Sequence, residues 1–396
     1  MTPRRLRIVA IAGTAVGGRW FVDQVTGLAQ LGHTVLAVLP DEGPVSEALR
    51  AAGVACAVIR FKGKRLVDLP RVAFAQLQLI ALLRSFRPDV VHYHLLKAIL
   101  MGRIAALVAR VPVRISQWPG DVHRSSRLFR WLDDGTAAID TVIIGSCQSI
   151  ADAYKHDGRR VAVGYYGLRT DEWQADLSAE ARAMLRADLS LRAATPTVGM
   201  VAYMYPTRLP GFGATSFKGH ETFIRAAAIL ARAGGDVQFL VVGDELLGGD
   251  GSYRRGLEAM AESLGLAGRI VFAGNRSDIQ RVLQVMDVVA VPSTSESACY
   301  VAMEALLLER PVVASDVGGL PDTVVDGLGG LLVPPGDAVA LAEAVGKLLR
   351  DPVLGHGLAG AGRLHVLEHF DLRTTTAAIE AIYRTAVLES QGRRAG

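Results

Sequence analysis

Pro292-Ser-Thr-Ser-Glu296-Ser-Ala-Cys-Tyr-Val-Ala-Met-Glu304-Ala-Leu-Leu-Leu-Glu-Arg-Pro311-Val-Val-Ala-Ser-Asp316 follows the apolar run Val288 to Val291. It reads as a buried strand, a polar turn, a helix and a second short strand. Glu304 is the sole charged residue between Glu296 and Glu309, among Val301, Ala302, Met303, Leu306, Leu307 and Leu308. A helix apolar on nearly all sides is a buried one, and a buried carboxylate demands a partner. With a start near Ala298, Glu304 lies about 9 Å along the axis from the N-terminus, and Glu296 sits at the mouth. Two acceptors flanking a helix N-terminus suit a bent ligand with hydroxyls at both ends and an anion between them. A nucleotide-sugar has that layout, and strand ends are where open α/β sheets bind ligands. The competing reading is a pair of ordinary helix glutamates.

The pair resembles the E-x7-E motif of the retaining GT-B glycosyltransferases of family 4. The resemblance continues through Pro311-Val-Val-Ala and Gly318-Gly319-Leu-Pro-Asp, and through Gly330-Leu-Leu-Val-Pro-Pro-Gly336-Asp. It extends more weakly over most of the chain. It implies an α/β GT-B fold: two Rossmann-like doubly wound domains with a cleft between them. It further implies transfer of a hexose from a UDP- or GDP-linked donor to a hydroxyl acceptor, with retention and without a metal.

Composition bounds the reading. The chain has 396 residues, half of them hydrophobic, and a formal net charge of +4, which is long for a single core and points to two domains. No apolar run reaches the ~18 residues of a membrane-spanning helix. The basic start before Ile8 to Ala12 has too short an apolar run for a signal peptide. Cys56, Cys147 and Cys299 show neither disulfide nor metal spacing. A cytoplasmic protein is expected, with no nucleic-acid partner. Residues 1–175 hold 23 Lys+Arg against 14 Asp+Glu, and the rest 20 against 25, so the first half is positioned to meet an anionic partner or simply a solvated surface.

Strands are read at Leu6 to Ala12, Thr34 to Leu39, Ala55 to Arg60, Val90 to Tyr93, Val113 to Ser116 and Thr141 to Gly145, with helix-like segments between them. This is the alternation of a parallel sheet. Tyr166 to Pro196 turns polar and helical and reads as a linker. A second alternation runs from Thr197 through Val237 to Gly243, Ile270 to Gly274, Val288 to Pro292 and Val312 to Ser315. The domains are therefore placed at 1–175, completed by a returning helix in 374–396, and at 190–373.

Lys218-Gly219-His220 opens a helix in the second domain, where a lysine can neutralise a diphosphate. The family carries an Arg about five residues earlier; here Arg208, in the loop Tyr205–Phe217, is the nearest. Gly243, Asn275 and Arg276 follow strands and resemble donor-contacting loops; the alternative is plain turns. Cys299, Tyr300 and Val301 stand in the donor set where the family has E-x-F-G-L, and narrow the approach to the hexose. Gly17 and Gly18 follow the first strand and match the family's phosphate and acceptor loop, without the G-x-G-x-x-G spacing of a dinucleotide site. His94 ends the fourth strand, as an acceptor contact or a structural histidine. His123 stands near the place of the family's displaced histidine. Glu296 and His123 are thus the catalytic candidates, Glu304 the ribose ligand and Lys218 the diphosphate ligand; no cofactor is called for, and no D-x-D pair is placed to hold a metal. Two other readings stay open: a non-catalytic GT-B partner subunit, and a GT-B nucleotide-sugar epimerase.

Residues 60–87 hold seven Lys or Arg against Asp68 alone. This basic run beside the helix Leu69 to Arg84 fits peripheral contact with an anionic membrane, at its inner face. The other reading packs Val72, Phe74, Leu77, Ile80 and Leu83 against the sheet.

Overall fold

The computed structural model describes residues 4–61, 69–120, 126–155, 158–175, 177–205, 217–245 and 249–395. They divide into two compact units, Met1–Leu168 with Phe370–Gly396, and Arg169–His369.

In the first unit, seven parallel strands run β1 (Arg7–Ala12), β2 (Thr34–Leu39), β3 (Ala55–Val58), β4 (Val90–His94), β5 (Val113–Trp118), β6 (Val142–Gly145) and β7 (Val161–Val163). Their spatial order is β3-β2-β1-β4-β5-β6-β7, with Ile8 beside both Val35 and Val90. The order reverses between β1 and β4, the doubly wound pattern.

Side chains alternate across this sheet with the period of two that a strand imposes. Ile8, Ala10 and Ala12 face α1 (Arg19–Gln30), α2 (Pro44–Ala51) and the last helix, joining a core with Phe21, Val25, Leu49, Ile379 and Tyr383. Val9 and Ile11 face α3 (Leu69–Phe86) and α4 (Leu96–Val108), against Leu79, Leu83, Ile99 and Ala105. Burial on both faces is why these strands read as continuous apolar runs. On the α3–α4 side the unit also holds α5 (Arg127–Thr136) and α6 (Gln148–Tyr154).

The second unit has six parallel strands: β8 (Thr197–Val201), β9 (Gln238–Val242), β10 (Ile270–Gly274), β11 (Val288–Val291), β12 (Val312–Ser315) and β13 (Leu331–Val333). Their order is β10-β9-β8-β11-β12-β13, so this sheet reverses between β8 and β11. Val198 and Met200 pack against Phe223 and Ile224 of α8 (His220–Arg232), Leu257 of α9 (Ser252–Ser263) and Leu341 and Val345 of α13 (Ala338–Arg350). The short helices α10 (Ile279–Gln284), α11 (Tyr300–Leu307) and α12 (Leu320–Thr323), and the longer α14 (Pro352–His369), complete it.

The segment read as a linker is folded into this second unit. Residues Ala179–Asp188 form α7, whose Arg186 donates to the carbonyls of Val285 and Thr195. Leu185, Leu189 and Leu191 are buried, so the helix docks on apolar spacing that its polar surroundings disguise.

After α14 the chain enters α15 (Leu372–Ala395), which belongs to the first unit. Ile379 and Tyr383 lie in that unit's core, and the Tyr383 hydroxyl meets Nδ1 of His92 at 2.5 Å. A C-terminal helix thus completes the N-terminal unit.

Candidate active site

The second sheet reverses order between β8 and β11, and the loops leaving those strands converge there. The loop after β11 carries Ser293 and Glu296 into α11, and Phe217 and Lys218 lead into α8. Thr294 N donates to Phe217 O at 2.8 Å and holds the two loops together.

The contact depends on glycine at two places. Gly219 has φ +72°, and a Cβ there would stand 1.9 Å from Pro292 O. Gly318 has φ +61°, and its Cβ would stand 1.8 Å from Glu296 O. A side chain at either position would push apart the backbones that form the site. Gly319 N also donates to Glu296 O at 3.2 Å. The Gly318-Gly319 turn therefore pins Glu296 from behind.

Within this frame Lys218 Nζ lies 2.5 Å from Glu296 Oε2. The carboxylate also accepts from Ser293 Oγ at 3.3 Å and from the backbone N–H of Ser297 at 3.3 Å. About a quarter of the Lys218 side-chain surface reaches solvent, against 9% for Glu296. Burial works against the charge on Lys218, but the adjoining Glu296 carboxylate overcomes it and leaves the pKa raised. Lys218 is therefore a held, permanent cation.

His220, the first residue of α8, is buried. Burial lowers its pKa to about 4, with a hydrogen bond to the Ala202 backbone opposing and the charge of Lys218 assisting. It stays neutral at pH 7 and ties α8 to the end of β8.

Cys299 is the N-cap of α11 and is buried. Burial first, then the charge of Glu296, push its thiol well above the usual range, so it fills space as an inert thiol. Tyr300 and Val301 open the helix, half-buried. Further along, Ala302, Met303, Ala305, Leu306 and Leu307 are buried while Glu304 is half-buried. The apolar helix thus carries its one acid at a place that solvent still reaches.

At the neighbouring strand ends, Gly243 (φ +123°) sits so close to β8 that a Cβ would stand 2.0 Å from Ala202 O. Its N–H donates to Gly274 O at 2.8 Å. Asn275 is exposed. Arg276 does not project freely from this loop: it holds Asp278 with two bonds of 2.8 Å and Asp188 at 3.0 Å.

In the first unit, Gly17 is exposed with φ +66°, and Gly18 precedes α1 as its N-cap. His94 is fully buried, its Nδ1 3.1 Å from the Tyr166 hydroxyl and its ring 5.3 Å from that of Trp20. Burial and the adjacent His92 hold its pKa well below the usual value. Arg208 and His123 lie outside the described residues, as do Lys62, Lys64 and Arg65 of the basic run. Among the described residues, no group of three or more His, Cys, Asp or Glu is arranged to hold a metal ion.

Sequence reasoning did not single out Ser293 or His220. Both are buried polar residues: Ser293 meets Glu296 three positions on and His220 the Ala202 backbone, and neither contact shows as a sequence pattern.

Comparison with known proteins places this geometry. Residues 210–351 match the family described as "Glycosyl transferases group 1", and residues 17–167 the "Glycosyl transferase 4-like domain". The chain belongs to the group 1 glycosyltransferases.

Among group 1 relatives, it is 34% identical over 169 residues to the alpha-D-kanosaminyltransferase of Streptomyces kanamyceticus, covering 42% of each chain. It is 35% identical over 218 residues to the D-inositol 3-phosphate glycosyltransferase of Mycobacterium marinum, covering 54% of this chain and 43% of that one. The match spans less than half the length of these relatives. In fold, it is similar to the Anabaena HepE protein, solved in complex with UDP-glucose, with a TM-score of 0.79 at 22% identity, covering 96% of this chain and 100% of that one. The two parallel-sheet units are the Rossmann-like halves of the GT-B architecture.

Proposed function

We propose that this protein transfers a hexose from a nucleoside-diphosphate sugar to a hydroxyl acceptor. The observation that carries the reading is the Lys218–Glu296 pair, held at the reversal point of the second sheet beside the N-termini of α8 and α11. A lysine cation and helix N-terminal N–H groups are what a departing diphosphate requires. In this reading the donor phosphates draw Lys218 from Glu296, and the carboxylate turns to the sugar. Glu304, accessible along the same helix, takes the ribose hydroxyls.

UDP is the favoured nucleotide, because the structurally similar HepE protein was solved with UDP-glucose; a GDP-linked donor is the alternative. A small hydroxylated molecule is the favoured acceptor, because the two relatives are named for kanosaminyl transfer and for inositol 3-phosphate. Protein cations stabilise the leaving group in this proposal, so transfer proceeds without a metal. The anomeric configuration is retained, with attack and departure on one face and the leaving phosphate receiving the acceptor proton. Gly17, Gly18 and His94 serve the acceptor from the first unit, with buried His94 acting through Tyr166 and Trp20.

The test is donor turnover by the purified chain against a panel of UDP- and GDP-sugars, with product anomers assigned by NMR, with and without EDTA. Glu296→Ala should depress kcat more than nucleotide affinity, and Glu304→Gln the reverse. Nucleotide binding without any turnover of donor would make the chain a non-catalytic subunit. Loss of transfer on chelation, restored by Mg²⁺ or Mn²⁺, would overturn metal independence.

A further inference from the structure

In the first unit, the amino ends of β5, β6 and β7 and the helix α15 enclose a cavity of about 340 Å³. The strands are parallel, so this is the opposite end of the sheet from Gly17, Gly18 and His94, which follow or end their strands. Ligands of open α/β sheets ordinarily occupy that other end, at the carboxyl termini of the strands. The cavity is thus separate from the acceptor loop.

Its charges come from the residues that start these strands. Arg110 leads into β5, Arg114 is the second residue of β5, Arg160 leads into β7, and Glu389 of α15 is the one acid of the lining. Arg160 and Glu389 pair with each other, which cancels two of the four charges. Arg114 is held by neutral groups: its Nε donates to Ile139 O at 2.6 Å and its Nη1 to Val111 O at 2.8 Å. Carbonyls orient a guanidinium without neutralising it. Among the described residues no carboxylate pairs with Arg114 or with the exposed Arg110. Asp140, next to the lining residue Thr141, is committed to Arg103, Tyr93 and Ser116. Two positive charges are left over, beside apolar walls made by Leu107, Val111 and Ala386.

We infer that this cavity binds a small phosphate monoester. Two uncompensated guanidiniums match a dianion in charge, and their planar forks match phosphate oxygens in geometry. The apolar walls suit a carbon body that free phosphate lacks, and the volume lies at the small end of the range for ligand pockets. The inference is independent of sugar transfer, because Lys218 and Glu296 lie in the other unit.

The experiment is isothermal titration of the full chain with phenyl phosphate and with inorganic phosphate. It is done in the Lys218→Ala background, which removes the phosphate contact proposed for the other unit. Phenyl phosphate is expected to bind, and more tightly than inorganic phosphate. Arg110 has φ +57°, a conformation that glycine adopts freely, so Arg110→Gly removes the guanidinium without disturbing the turn. That change should weaken phenyl phosphate binding at least about tenfold, the scale of one charge-assisted bond, with the circular dichroism melt unchanged or raised. Glu389→Gln should act in the opposite direction and tighten binding at least about threefold, because it frees Arg160 and removes a repelling carboxylate. Inorganic phosphate binding as tightly as the ester would overturn the assignment to a monoester. No heat of binding in the Lys218→Ala background, or full retention of binding in Arg110→Gly, would overturn the site itself.

Discussion

Lys218 and Glu296 stand 78 positions apart in sequence, and their charged atoms meet at 2.5 Å. The pair is mostly shielded from water, with Glu296 the deeper member. Each residue neutralises the other, so removing either strands a charge in a partly buried place.

Lys218→Ala should weaken UDP binding at least about tenfold while leaving uridine binding, which lacks the diphosphate, within about twofold; a charge-assisted phosphate contact is worth about 1.5–3 kcal/mol. Isothermal titration with the two ligands checks this. An equal loss for both would make Lys218 structural. Lys218→Arg should recover part of the UDP affinity.

Two of the positive-φ glycines, Gly318 and Gly17, predict contrasting costs. Gly318→Ala must place a Cβ against the Glu296 carbonyl and should destabilise by about 2 kcal/mol or more, with loss of donor binding. Gly17→Ala meets nothing within 4 Å and should cost only about 1 kcal/mol, from its backbone conformation alone. Urea unfolding of the two variants gives the comparison, and similar costs would refute the clasping role of Gly318.

In the first unit, Arg103 is fully buried and binds both Asp133 and Asp140. Tyr93, Ser116 and Tyr154 donate to the same carboxylates. Arg103→Met leaves two buried acids without their cation and should cost about 3–5 kcal/mol. UDP affinity measured below the unfolding transition should not change, because the nucleotide residues lie in the other unit. A cost under about 1 kcal/mol would show that the network relaxes or takes up solvent.

Acid stability follows from the buried histidines. Burial lowers the pKa of His92 to about 3, below its unfolded value near 6.5. Between those values the unfolded chain binds the proton and the folded chain does not. Stability is therefore fully present above about pH 6.5 and falls as pH drops toward 3, by up to about 1.4 kcal/mol per pH unit for this group. His92→Gln should flatten the fall in Tm between pH 6.5 and 4 relative to wild type. An unchanged slope would show that His92 does not carry it.

Much of this protein was legible in its sequence because the deciding signals are local. Short continuous apolar runs alternating with helix-like segments announced most of the parallel strands of both sheets. Glu296 and Glu304 declared themselves by being the acids of an otherwise apolar helix start. Short edge strands such as β7 and β13 were not read, since three residues show no alternation. The helix α7 was read as linker because its surface is polar and only Leu185, Leu189 and Leu191 betray docking.

Tertiary structure alone decided the partners. Nothing near Arg276 in sequence says that Asp188 will take one of its nitrogens, and nothing near Glu296 says that Lys218 will reach it. Which way α3 turns was equally undecided: its apolar residues run nearly all round, and only packing against β1 and α4 settles that Leu79 goes in and Phe74 stays out. Secondary structure responds to neighbours within a few residues, whereas ion pairs, glycine clasps and exposed faces depend on where distant chain segments come to rest.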